Sequence, residues 1–251
     1  MSAAAATREV LVTGGSRGIG RAIALRFAEP GTRVFINFFV NGEAADKTAH
    51  EVELRGARAH LLQGDLKQPA EIARMFDELG RTAGRLDVLV SNAASGVLRD
   101  ALAVSAKQLD WVLATNARPL LLTAQAAAAL MGEGGRVIAL SSLGSQRVIP
   151  GYAAVGVSKA AMEALTRYLA VELAPRGITV NTVCAGAVET DIWHAIPDGA
   201  ALLAAARART PGGRLVTADA VADVVYFLAS GAAQAIQGQS LVVDAGYSLL
   251  A

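Results

Sequence analysis

Residues 9–28 read EVLVTGGSRGIGRAIALRFA, and the order of features in them decides the fold. The run 9–13 is short, apolar between its ends and rich in valine, as a buried strand is. It passes into the turn Gly14-Gly15-Ser16-Arg17-Gly18-Ile19-Gly20, after which apolar residues return at helical spacing to about Ala28. A helix that begins in a glycine turn offers unpaired N–H groups and a positive dipole end, and the glycines let a ligand come close to the backbone. Working outward, further strand-like runs fall at 33–38, 59–62, 86–91, 136–141, 178–183 and 240–244, with helical stretches between them. Near-continuous apolar runs such as VLVTG, VLVSN and VIALSS predict strands covered on both faces. About seven strands alternating with about six helices predict an α/β chain, a single domain over 1–251 built on one doubly wound parallel sheet.

Composition narrows the partners. With 23 basic against 22 acidic residues the net charge is +1 and no basic stripe is visible, so no electrostatic case for nucleic acid exists. Apolar stretches are interrupted by Asp, Lys, Arg, Thr or Gln before reaching the roughly 20 residues that span a bilayer, so no membrane is expected. The start MSAAAATREV lacks a basic segment followed by an apolar one, and a cytoplasmic location is expected. Cys184 is the lone cysteine and lies in the apolar run ITVNTVCAG, which predicts a buried, inert thiol with no disulfide and no cysteine-built metal site. His194 has no second ligand near it in sequence, and no metal is expected. The strand and helix rhythm breaks after Gly186, where Pro197, Gly199, Pro211, Gly212 and Gly213 surround an alanine-rich helix. A flexible lid over about 187–213 is the expectation.

Ligands of open α/β sheets bind outside the carboxyl ends of the strands. Three features fall there: the turn Gly14-x-x-x-Gly18-x-Gly20 after the first strand, Asp65 after the third, and Asn92-Ala93-Ala94 after the fourth. Together they indicate a dinucleotide. An acid at the end of the second strand would bond the adenosine ribose and repel a 2′-phosphate, and Phe38, Phe39, Val40 and Asn41 supply none. That favours NADPH, with NADH possible, and puts Arg17 where its guanidinium can pair with the extra phosphate.

The segments TGGSRGIG, GDL after the third strand, NAASG, TNAR with Asn116, SSLGS, GVSK and AGAVETD resemble the motif set of the short-chain dehydrogenase/reductase family over essentially the whole chain. SSLGS followed by YAAVGVSKAAMEALTRYLAVEL, with NAASGVLR, is similar to the enoyl-acyl carrier protein reductase III type and its YxxxxxxK motif. The resemblance implies a Rossmann-like sheet, a nicotinamide cofactor, a homotetramer and a thioester substrate on acyl carrier protein or coenzyme A. It places Gly14, Ser16, Arg17, Gly18, Ile19 and Gly20 at the phosphates, and Val40, Asn41, Asp65 and Leu66 on the adenosine side. Asn92, Ala93 and Ala94 follow along the cofactor, with Lys159 on the nicotinamide ribose and Gly186, Val188 and Thr190 at the nicotinamide. Val188 and Thr190 meet the carboxamide through a backbone group and a hydroxyl. Two places depart from the pattern: a second basic residue is missing where Val40 stands, and Ala185 replaces the proline that relatives carry before Gly186.

For catalysis the resemblance singles out Tyr152 as the acid and Lys159 as its cationic partner. Asn116 would interrupt its helix and hold a water that links Lys159 to solvent. Val155 stands where a carbonyl reductase of this type carries its tyrosine, so the acid is displaced by three residues, roughly 4.5 Å along a helix. Such a shift suits an acid that must reach the oxygen of an enoyl thioester, three bonds from the carbon that receives hydride. Ser142 lies ten before Tyr152; it either touches substrate or water, or makes a cap or loop hydrogen bond. Ser95, Gly96, Val97, Ile192 and Trp193 are candidates for the acyl pocket. The expected activity is NADPH-dependent reduction of a 2-enoyl thioester, with a 3-ketoacyl or other carbonyl reductase as the alternative and a catalytically inactive cofactor-binding regulator behind it.

Overall fold

A computed structural model of the chain describes residues 8–190 and 198–250. Its strands are β1 (Arg8–Val12), β2 (Thr32–Phe38), β3 (Arg58–Gln63), β4 (Val88–Ser91), β5 (Arg136–Ser142), β6 (Thr179–Ala185) and β7 (Ser240–Val243). All pair in parallel, in the order β3-β2-β1-β4-β5-β6-β7. Helices α1 (Gly18–Arg26), α2 (Gly42–Leu54), α3 (Pro69–Ala83), α4 (Ala106–Leu130), α5 (Ala153–Leu173), α6 (Gly199–Arg209) and α7 (Ala218–Leu228) connect them. The expected doubly wound, Rossmann-like parallel sheet is therefore present.

Two apolar cores follow from strand pleating, since successive side chains point to opposite faces. Val10 and Val12 of β1, Val34 and Ile36 of β2 and Val88 and Val90 of β4 enter one core with α1 and α7. Leu11, Phe35 and Leu89, the residues between them, enter the other with α3, α4 and α5. Burying one such side chain stabilises the fold by roughly 1.5–3 kcal/mol, and the sheet that carries the site is covered on both faces in this way.

Local signals set the helix limits. Ser105 and Gln108 form a capping box at the start of α4, and Thr217 caps α7. Pro69 opens α3 and left-handed Gly84 closes it. One expectation is corrected here: α4 runs unbroken from Ala106 to Leu130, so Asn116 does not interrupt it, although Pro119 within it has no N–H to donate. Tertiary packing overrides these weak points, because Val112, Ala117, Leu120, Ala124 and Ala127 on the same helix are buried.

The direction of winding reverses between β1 and β4, which are neighbours in the sheet although β2 and β3 intervene in sequence. A crevice opens at the carboxyl ends of such a pair. The glycine turn and Asn92 therefore meet.

Candidate active site

Thr13, the residue after β1, is buried and ties the two sides of the crevice together. Its Oγ1 accepts from the Asn92 and Ala93 N–H groups at 2.9 and 3.1 Å. The Asn92 amide in turn donates to the Thr13 and Gly14 carbonyls at 2.9 and 3.2 Å. Gly20 fits beneath this bond only because it has no side chain: a Cβ there would lie 2.2 Å from the Gly14 oxygen and 2.5 Å from Asn92 Nδ2. From the other flank, Asn37 on β2 accepts from the Gly14 N–H at 3.2 Å and donates to Leu62 and Gly64 carbonyls at 3.1 and 3.2 Å. The Ser16 carbonyl is held by Thr48 Oγ1 at 3.0 Å.

What this framework presents is a cradle fit for phosphate. Arg17 occupies the cap position of α1 in extended conformation and no side chain caps the helix there. Ile19 packs its side chain on the core, which leaves its backbone for a ligand. Arg17 is exposed and shares with Lys47, Thr48 and Thr190 a groove of about 580 Å³. Thr190 reaches the turn: its Cγ2 is 3.7 Å from where a Gly18 Cβ would be. Gly186 is anchored by donating to the Val243 carbonyl at 2.9 Å. Val188 is buried and bridged to Val216, so its backbone is fixed beside the crevice.

On the adenosine side, Val40 is 77% exposed at the end of β2 and offers an open apolar edge. Asn41 spends its side chain capping α2, accepting from Ala44 N–H at 3.0 Å. Asp65 accepts from the Lys67 N–H at 3.0 Å and lies 3.3 Å from Lys67 Nζ. Leu66 is buried in a core, leaving only its backbone toward a ligand. Phe39, Gln63, Asp65 and Arg74 border a second cavity, of about 650 Å³. Neither cavity is lined by Tyr152 or Lys159.

The titrating groups gather where β5 ends against α5. Tyr152 precedes the first turn of α5, and its ring lies so close over Gly144 that a Cβ there would stand 2.5 Å from ring carbon Cδ1. Ser142 is the polar side chain beside its hydroxyl. Burial pushes the phenol above its ordinary value of 10.0, against an opposing pull from Ser142. The group therefore stays protonated at neutral pH. Ser142 accepts from the Gly144 N–H at 3.4 Å, the loop hydrogen bond that was one of its two expected uses. Lys159 is buried and donates to the Leu140 carbonyl at 2.7 Å. Burial lowers it to about 8, against an upward pull from the Glu163 carboxylate. Cys184 is itself buried and pushed up to about 12, chiefly by desolvation, which makes it an inert thiol.

The Asn116 side chain is bonded within the protein. Its Oδ1 accepts from the Ser95 N–H and its Nδ2 donates to Ser158 Oγ, each at 2.9 Å. This amide fastens the loop after β4 to α5. Ala94, Ser95 and Gly96 are exposed on that loop, and Val97 packs against the small apolar group that contains Tyr152, Ala154 and Val155. Val155 lies hard against Gly96, whose Cβ would come within 2.2 Å of Val155 Cγ2. Ile192, Trp193 and His194 lie outside the described residues, as does part of the expected lid; α6, within it, is joined to the segment after β6 by an Arg207–Glu189 ion pair. Among the described residues no group of His, Cys, Asp or Glu is placed to hold a metal ion, and no helix is long and apolar enough to cross a membrane. Sequence reasoning missed Thr13, Asn37 and Glu163, the buried polar groups that hold the site. The available signal was a polar residue inside an apolar run, as in RVFINF.

A family model described as enoyl-(acyl carrier protein) reductase matches residues 14–248. The 1-cyclohexenylcarbonyl-CoA reductase of Streptomyces collinus is 42% identical over 96% of this chain and 87% of its own. The 3-oxoacyl-[acyl-carrier-protein] reductase FabG of Staphylococcus aureus is 36% identical over 96% of this chain and 98% of its own. Among solved structures, a short chain dehydrogenase from Burkholderia cenocepacia in complex with NADP superposes with a TM-score of 0.90 at 35% identity, covering 97% of this chain and 99% of that one. Sequence, sheet order and near-complete coverage agree that the chain belongs to the short-chain dehydrogenase/reductase family and is an oxidoreductase.

Proposed function

We propose that this reductase acts on the carbon–carbon double bond of a 2-enoyl thioester, carried on coenzyme A or acyl carrier protein, with NADPH as the reductant. The observation that carries the reading is the placement of Tyr152 beside Ser142 at the head of α5, while Val155 is buried against Gly96. A valine and not a phenol stands three residues further along the helix, so Tyr152 is the acid available. A displacement of roughly 4.5 Å suits an acceptor oxygen three bonds from the hydride-receiving carbon rather than bonded to it. The Streptomyces relative, named for a ring alkene conjugated to a CoA thioester, supports this choice.

The glycine cradle and uncapped α1 fit a dinucleotide, and NADPH bound there supplies the hydride. The chain's own residues do the rest. Arg17 pairs with the 2′-phosphate, and Lys47 in the same groove adds positive charge that Val40 does not supply. Val188 and Thr190 face the carboxamide. Tyr152 donates its proton to the thioester oxygen as negative charge develops there, and Ser142 fixes the direction of that donation. Lys159, protonated below about pH 8, favours negative charge near the phenol and bonds the nicotinamide ribose. Ser95, Gly96 and Val97 wall the acyl group, and the working unit is a homotetramer.

The placement of Tyr152 beside Ser142 also favours a second reading, carbonyl reduction with the tyrosine recruited from before the helix, and the FabG relative supports it. Initial rates of NADPH oxidation with crotonyl-CoA and acetoacetyl-CoA separate the two. Preference for crotonyl-CoA is expected; faster turnover of acetoacetyl-CoA would overturn the enoyl reading.

A further inference from the structure

One buried carboxylate near the reacting pair has no part in the chemistry above. Glu163 lies on α5 one turn beyond Lys159 and is 6% exposed. Its Oε1 accepts from Ser141 Oγ and Ser145 Oγ, both at 2.6 Å, and its Oε2 accepts from Gln146 Nε2 at 3.0 Å. All three donors belong to the segment 141–146, in which β5 ends and a short 3₁₀ turn, Leu143–Ser145, follows. That segment carries Ser142, the polar side chain beside the Tyr152 hydroxyl, and Gly144, over which the Tyr152 ring lies. Hydrogen bonds to a charged acceptor are short and strong, and a buried carboxylate needs such partners to stay ionised. Three donors from one catalytic segment therefore converge on a single anion.

We propose that Glu163 is a positioning residue: its carboxylate fixes the 141–146 segment, and through Ser142 and Gly144 the Tyr152 hydroxyl, while its negative charge keeps buried Lys159 cationic. The inference rests on Tyr152 and Lys159 being the reacting pair. Around them the other titratable groups are Cys184 on β6, Asp244 after β7 and Arg147 near Asp244. Cys184, pushed up to about 12, is uncharged where Lys159 titrates at about 8. Asp244 is occupied by the Gly246 and Ser248 N–H groups, each at 2.8 Å. Glu163 remains as the anion that opposes the desolvation of Lys159.

Lys47, Lys67, Lys107 and Lys159 are the lysines of the chain, so the ¹³Cε resonance of Lys159 can be followed by NMR in labelled protein without any substrate. Glu163→Gln keeps the shape, removes the charge and sets an amide N–H₂ against a donor. Its Lys159 titration and the alkaline limb of its kcat/KM profile should move down together by about 0.5–1 pH unit. Its kcat at pH 7 should fall about tenfold while the thioester KM changes little. Glu163→Asp keeps the charge and loses reach, so kcat should fall while Lys159 titrates as in wild type. If Glu163→Gln does not fold, Ser145→Ala with Gln146→Ala releases the segment and leaves the carboxylate; kcat should again fall at unchanged KM. A wild-type value of either the Lys159 titration or kcat in Glu163→Gln, or of kcat in the double variant, overturns the proposal. Failure of wild-type protein to reduce crotonyl-CoA instead sinks the enoyl reading and leaves the NMR test of Glu163 intact.

Discussion

Tyr152 is placed by three neighbours: Ser142 stands beside its hydroxyl, Gly144 lies under its ring, and Ile149 accepts from its backbone N–H at 3.0 Å. Tyr152→Phe removes the hydroxyl and nothing else. We predict that crotonyl-CoA reduction falls by about 10²-fold or more with NADPH binding, read by fluorescence, unchanged. Full activity in this variant would show that another group donates the proton. Val155→Tyr asks whether spacing alone selects the reaction. Gly96 already crowds Val155 from above, so the larger ring should cost about 1–3 kcal/mol in overpacking, seen as a lowered melting temperature, with no gain in acetoacetyl-CoA reduction. A stable variant with new carbonyl activity would contradict this. Lys159 gives a pH signature. Its folded value of about 8 lies below the unfolded 10.5, so between these values the unfolded chain binds more protons and the lysine makes the fold more stable as pH rises. The difference in unfolding free energy between wild type and Lys159→Met should therefore shift in favour of wild type across that window; a flat difference would mean that the lysine is not desolvated.

At the scale of elements, the turn between β1 and α1 explains why a dinucleotide site was legible. Glycine spacing, strand and helix are all within one stretch of chain, and the helix terminus acts through its own backbone. What the stretch could not reveal is its bracing: Asn92, Thr13 and Asn37 come from three strand ends that only the sheet brings together. Cofactor choice shows the same division. The lack of an acid after β2 is visible in sequence, whereas Lys47 joins Arg17 in one groove because α2 packs beside α1. Arg17→Ala should raise the KM for NADPH severalfold and change that for NADH little, since only NADPH has the 2′-phosphate. Equal losses with both cofactors would assign Arg17 to the pyrophosphate or the fold.

Over the whole molecule, large apolar side chains remain exposed at several places, two of them on α5 and around the β7 edge. Val157, Tyr168 and Val171 stand out from α5, at 52, 71 and 76% exposure. Val242 on the edge strand β7, Phe227 on α7 and Leu249 near the C-terminus form the second set. Apolar surfaces of this kind mark subunit interfaces, and two faces on one protomer suit dihedral symmetry. We predict that light scattering at micromolar concentration gives a tetramer and that Val171→Asp with Tyr168→Asp reduces it to a smaller species. A monomeric wild-type protein would refute this assignment.

Sequence alone determined what depends on neighbours along the chain: seven apolar strands, the helices between them, the glycine turn, and the seven-residue interval from Tyr152 to Lys159. Periodicity and turn chemistry are short-range, so they survive without knowledge of the fold. Tertiary structure alone decided which buried polar groups are satisfied and by whom. Asn116, expected to break its helix, bonds Ser95 and Ser158 while α4 continues through it. Glu163, indistinguishable in sequence from a solvated helical glutamate, faces inward and takes three donors from a segment about twenty residues away. Desolvation makes an unpaired amide or carboxylate costly inside a protein, and the partner that removes that cost is chosen by the approach of distant segments.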